Sequence, residues 1–337
     1  MTKMTRIALA ALAVMGATTA MAQSSVTLYG RINTTVERQK IGDNSVTGLY
    51  NNASRFGFRG TEDLGGGLKA GFVLESGFNS DNGMGTGSAT GLTFKRQSEV
   101  NLSGNFGMVR LGNFFPESYF ASADYVSMHN HDTGSSSDAL YQDPNWMGVS
   151  TGGQGGAGGV GTANKIAYRT PSMGGFWAEG SVSLHEKALG TNNKNGYDLA
   201  ANYNTGPVHL GAGYSRWDGN WQASVRGLYT FGQFTVGGYY QRNDENLLGS
   251  RNNFRLSGMY TLGASEFHLN AGRANSWSNL SSSAATQYTV GYNYNLSKRT
   301  KVYGYYTRVN NSSNASYGSA VKGADFSSFA VGVRHAF

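Results

Sequence analysis

Cysteine is absent from this 337-residue chain, and proline occurs only four times. Without thiols, neither a disulfide scaffold nor a thiolate metal site can form. Charge is also scarce: 14% of residues are Asp, Glu, Lys or Arg, against about 25% in an ordinary soluble domain. Low charge would suit a bundle of membrane helices, but the mean hydropathy is −0.39. Beyond residue 22 no run approaches the ~20 apolar residues that a spanning helix requires. Disorder is excluded by the many aromatic and β-branched residues. What is plentiful is glycine, at 49 residues, and aromatic side chains, at 17 Phe, 5 Trp and 20 Tyr. That composition belongs to a large β protein.

Residues 1–22 read as a cleaved leader rather than part of the fold. Lys3 and Arg6 precede an apolar run from Ile7 to Ala17, and Ala20-Met21-Ala22 offers a small-x-small cleavage site. The run is too short to span a membrane; a buried N-terminal helix is the competing reading. Cleavage after Ala22 leaves 315 residues (337 less 22), starting at Gln23, as one domain over 23–337. It removes Lys3 and Arg6, leaving 25 basic against 20 acidic residues, a net charge of +5.

From Ser25 onward the pattern has period two. Val208, Leu210, Ala212 and Tyr214 alternate with His209, Gly211, Gly213 and Ser215; Tyr288, Val290, Tyr292 and Tyr294 alternate with Thr289, Gly291, Asn293 and Asn295. Such alternation predicts strands with one apolar and one polar face. Sixteen are expected, at about 25–38, 48–60, 67–79, 93–104, 106–114, 163–172, 175–187, 195–205, 207–217, 220–231, 233–244, 251–261, 265–277, 284–295, 300–311 and 323–337. Short connections such as Gly104-Asn105 and Gly232-Gln233 alternate with long polar ones such as 80–92, 278–283 and 312–322. Alternate short turns and long loops are the habit of outer-membrane barrels.

A soluble β-sandwich would bury Val, Ile and Leu between its sheets. Here Tyr and Phe dominate the strand ends, as in the aromatic girdles at lipid headgroups. The opposite face is Gly, Asn, Ser, Thr and Arg, which lines water well. The fold class expected is all-β, a transmembrane antiparallel barrel wide enough to enclose an aqueous channel. Residues 115–162 break the rhythm with clustered Gly and Ser. A loop this long is functional or disordered; the expectation is that it folds into the barrel and narrows it, a plain surface loop being the alternative.

Alternation also sorts the charges. Leu28 and Ile32 set the outward face of the first strand, so Tyr29, Arg31 and Asn33 point inward. Phe56 and Phe58 likewise turn Arg55 and Arg59 inward, and the neighbours of Arg169, Arg226 and Arg255 place all three in the lumen. A cation facing lipid at mid-membrane costs about 2–4 kcal/mol. Between 96 and 101, Gln97, Ser98, Glu99 and Asn101 leave no good lipid face; this stretch is expected to be covered by another copy of the chain.

The residues resemble the general diffusion porins of Gram-negative outer membranes, in the branch found in β-proteobacteria. Val26-Thr27-Leu28-Tyr29-Gly30 resembles the family's opening strand, and the run from Ser54 to Lys69 its second strand, turn and third strand. Arg96-Gln97 with Leu102-Ser103-Gly104-Asn105-Phe106-Gly107 resembles the hairpin before the constriction loop, and Val331 to Phe337 the final strand. The resemblance implies sixteen strands, a homotrimer, a long inward-folded third loop and an assembly signal at Phe337. It also implies partners among outer-membrane lipid and lipopolysaccharide, and passive passage of small hydrophilic solutes. The chain departs from the family where Asn113-Phe114 follows Leu111-Gly112 in place of the usual Arg-Gln, and in lacking the constriction loop's Pro-Glu-Phe-Gly run.

Arg31, Arg55 and Arg96 match positions of the family's basic constriction wall. Strict alternation with Val100 and Leu102 would turn Arg96 outward, whereas the resemblance places it in the pore. Opposite them, Asp124 is the first choice for a loop carboxylate and Asp132 the second. Arginine stays protonated throughout the working pH range, and walls of fixed charge select permeant ions without a binding pocket; anions are expected to be preferred. A solute-specific channel with an organic-acid site is an alternative, and an outer-membrane hydrolase is another, which would need a nucleophile and base at one rim. His129-Asn130-His131-Asp132 reads as a solvated loop tip rather than a metal site. No glycine run sits between a strand and a helix as a phosphate loop requires, and the excess charge forms no nucleic-acid patch. No cofactor is expected.

Overall fold

An apolar face on one side of every strand and a polar face on the other can be satisfied by closing the sheet with its polar side inward. The computed structural model takes this form, describing residues 25–86, 91–122, 134–144, 161, 163–186 and 194–337. The strands are β1 (Ser25–Ile41), β2 (Asn44–Asn51), β3 (Arg55–Gly65), β4 (Leu68–Gly77), β5 (Gln97–Gly104), β6 (Gly107–Asn113), β7 (Lys165–Arg169), β8 (Phe176–Ser183) and β9 (Gly196–Thr205). They continue with β10 (Val208–Trp217), β11 (Asn220–Phe231), β12 (Phe234–Glu245), β13 (Gly249–Leu262), β14 (Ser265–Ala274), β15 (Ala285–Asn295), β16 (Thr300–Asn311) and β17 (Phe326–Ala336). Every pairing is antiparallel; from β3 onward each strand pairs with its neighbour in sequence, and β17 returns to pair with β1. No edge is left open, which is what a lipid environment demands of a sheet.

β2 and β3 both lie against β1, through Asn51↔Thr34 and Arg55↔Arg31 respectively, and so form one wall strand broken at 52–54. The wall therefore has sixteen strands, matching the expected segments one for one. At the break Ala53 takes a left-handed φ of 55°. Its carbonyl accepts a 3.1 Å hydrogen bond from Arg31 Nε. One connection is shorter than expected: β1 runs on to Ile41 and turns back at Asn44 through Gly42, whose φ of +55° permits so tight a reversal.

Burial follows the alternation. On β1 the outward Leu28, Ile32 and Val36 are exposed, while Arg31, Asn33, Thr35 and Glu37 are buried. Gln222, Gln241, Asn253 and Gln287 are buried too, while Val225, Leu256, Leu269 and Val290 are exposed. This inverts a soluble sandwich and excludes that alternative. At the short-turn end, rings meet in a continuous band from Tyr229 through Phe231, Phe234, Tyr260 and Phe267 to Tyr292, with centroids 4.8–6.3 Å apart. A girdle of aromatic rings at this level suits a membrane–water boundary.

The expected absence of a lipid face at 96–101 is corrected. Val100 and Leu102 are exposed on the outer side, and Gln97 and Asn101 turn inward with Glu99, donating to its carboxylate at 2.8 and 2.9 Å. Glu99 also takes an ion pair from Arg110 at 2.7 Å. The polar residues solvate a buried carboxylate on the inner wall, so they need no covering copy of the chain.

Candidate functional site: a basic wall and a lumen-side segment

Register brings the expected cations together. Arg31 on β1 lies directly across from Arg55 on β3, and side chains so opposed sit on one face of the sheet. Arg96 joins them from just ahead of β5: its Nε bonds Glu75 Oε1 at 2.7 Å, and Arg55 Nε lies 3.6 Å from Oε2 of the same carboxylate. Strict alternation fails at Arg96 because the strand begins one residue later, at Gln97. Tyr29 donates to Glu75 at 3.1 Å and carries the Arg59 guanidinium 5.2 Å from its ring centre. Four arginines and one carboxylate thus share this part of the inner wall.

Arg169, Arg226 and Arg255 also face inward, but each meets its own neighbours. Arg169 pairs with Glu117 and Glu179, both at 2.8 Å, and lies 4.4 Å over Trp177. Arg255 lies 3.0 Å from Asp138 and donates to Gln287 at 2.8 Å. Arg226, buried on β11, lines a cavity beside His209 and Asn202.

The described parts of 115–162 lie against inward-facing wall side chains. A short helix, α1 (Glu117–Ser122), packs on β9, β10 and β11. Ser118 donates to Asp198 and lies 2.9 Å from Ser215. Farther along, Ser135 donates to Glu37 at 2.7 Å, the Ala139 amide to Gln287 at 2.9 Å, and Asn253 to the Leu140 carbonyl at 2.6 Å. The segment's Asp138 accepts from Tyr239 at 2.5 Å. Burial pushes the Glu117 carboxyl up to about 8, against the pull of Arg169.

Asp124 and Asp132, like His129 and His131, lie outside the described residues. Among the described residues, loop carboxylates that meet cations include Asp138 and Glu117, neither of them chosen from sequence. Glu75 was also missed, although its alternation with Phe72 and Leu74 places it inward. Lys301 and Arg334, register partners across β16 and β17, face inward by the same rule. Among the described residues no group of three His, Asp or Glu side chains is placed to hold a metal ion.

A model of the Gram-negative porin family matches residues 8–314 of the chain. The chain belongs to the Gram-negative porin family. This porin is 36% identical to outer membrane porin protein 32 of Delftia acidovorans, over 99% of its own length and 100% of the relative's. It is 29% identical to an outer membrane porin protein of Bordetella pertussis, over 94% and 96% respectively. Among solved structures it is similar to an anion-selective porin from Comamonas acidovorans, with 30% identity, a TM-score of 0.74 and coverage of 94% of this chain and 100% of that one. The porin is an outer-membrane diffusion channel and not an enzyme, which sets the hydrolase reading aside.

Proposed function

We propose that this porin passes small hydrophilic solutes by passive diffusion and prefers anions, and that Arg31, Arg55 and Arg96 on the wall carry much of that preference. The observation that carries the reading is the convergence of Arg55 and Arg96 on a single carboxylate, Glu75, with Arg31 directly across the register from Arg55. Lys301 and Arg334 extend positive charge along the same inner face, with Glu266 3.8 Å from the Lys301 ammonium. A fixed cationic wall beside water concentrates anions within about a Debye length, ~10 Å at 0.1 M salt and 3 Å at 1 M. The similarity to a porin described as anion-selective supports the same direction. In this reading segment 115–162 forms the constriction, with Asp138 among its charges.

The porin is proposed to be exported with loss of residues 1–22 and to assemble as a homotrimer in lipid and lipopolysaccharide. Replacing Arg55 with Glu, and separately Arg31 and Arg96, tests the site. Each replacement is expected to move the reversal potential in a dilute salt gradient toward cations, by more than in 1 M salt. No shift in any of the three would overturn the assignment.

A further inference from the structure

Rings exposed to a water-filled lumen are out of place unless something apolar meets them, and this porin has such a place, adjoining the Arg31–Arg55–Arg96 wall at Gln97. Beneath α1, toward the short-turn end, lies a cavity of about 510 Å³. Phe115 and Phe120 enter it from the lumen segment and Trp177 from β8, each half-buried. The two Phe rings stand edge-on at 6.3 Å. Facing them are Arg169, Arg226 and His209 from β7, β11 and β10.

We propose that this cavity binds small aromatic carboxylates, seating the ring among Phe115, Phe120 and Trp177 and the carboxylate against Arg169 and Arg226. The volume falls within the range of small-molecule sites, which join an apolar lining to a few placed polar groups. Arg169 already lies 4.4 Å over Trp177, so a ligand can meet guanidinium and indole together. Glu99 and Glu179, paired with Arg110 and Arg169, hold these guanidiniums in position. Glu117 also lines the cavity; with its carboxyl pushed up to about 8 it is mostly protonated at neutral pH and repels an entering anion little. An aliphatic acid would find the cations but leave the rings wet, and a neutral aromatic would find the rings alone.

The proposal rests on the channel reading above, and benzoate tests it in planar bilayers. Added to wild-type channels carrying chloride, benzoate is expected to reduce the current in a saturable way. Acetate and benzyl alcohol at equal concentration should not. Trp177→Ala should weaken the block by about threefold to tenfold, the range of one aromatic contact, and Trp177→Phe by less. Only channels that insert and conduct chloride are compared, so a misfolded variant does not count as a loss of block, and Phe120→Ala gives a second reading from the opposite side. Equal block by acetate or by benzyl alcohol, or undiminished block in Trp177→Ala and Phe120→Ala, would overturn the proposal. The chloride-over-potassium preference is read separately; its absence would refute the anion-preferring function while leaving the benzoate comparison intact.

Discussion

At the scale of single residues, the inner wall keeps its charges by pairing them. Arg110 bridges Glu99 and Glu179, and Arg169 bridges Glu179 and Glu117, so these groups hold one another where an isolated charge would be costly. Glu117 is the weak member. Arg169 and Arg110 favour its ionised form, Glu179 and Asp198 oppose it, and burial outweighs the cations, raising it from 4.5 to about 8. The folded state therefore retains a proton that the unfolded chain releases. Its contribution to stability is fully present below pH 4.5 and is lost as pH rises through about 8. Glu117→Gln removes that dependence. The unfolding midpoint in detergent should fall between pH 5 and 9 more steeply for wild type than for the variant. Parallel profiles would mean that Arg169 keeps Glu117 ionised throughout.

At the scale of elements, α1 is held on the wall by glycine. A Cβ at Gly211 would sit 1.8 Å from the Ala121 carbonyl oxygen, and one at Gly213 would sit 2.6 Å from Ser118 Cβ. The first contact is with backbone, which no rotamer change relieves. Gly211→Ala should push α1 off β10 at a cost of about 1–3 kcal/mol and make the open-channel current noisier; a quiet channel of unchanged stability would contradict this. The strands that frame α1 were legible in the sequence, because alternation recurs with every strand and one slipped residue would reverse a whole face. The helix was not: Glu117–Ser122 is too short to show a helical period. Nor was the break at 52–54, which rests on a single left-handed residue, Ala53. Alternation located Arg55, Arg59, Arg169, Arg226 and Arg255 on the inner face. Applied to Glu99 it would have turned Gln97 and Asn101 inward as well, and applied to Glu75 it would have found the carboxylate between the arginines. What alternation could not supply was the pairing of Asp138 with Arg255, since that contact spans 117 residues and depends on the path of the intervening chain.

At the scale of the molecule, the barrel turns its apolar side out and its hydrogen-bonding side in. Leu28, Ile32, Val36, Val225 and Leu269 face outward, while Asn33, Gln241 and Gln287 line the interior. If the proposed export and assembly hold, native mass spectrometry in mild detergent should return three copies of a 315-residue chain beginning at Gln23; monomer alone, or a chain still carrying Met1, would contradict them. The cationic inner wall is proposed to make this water-filled channel prefer anions. The most direct test is the zero-current potential of the wild-type porin across a tenfold potassium chloride gradient, measured first with both sides dilute and then at molar strength. The sign is expected to be that set by chloride in both, with the larger preference in dilute salt, where screening is weakest. A potential set by potassium, or one indistinguishable from zero in dilute salt, would contradict it.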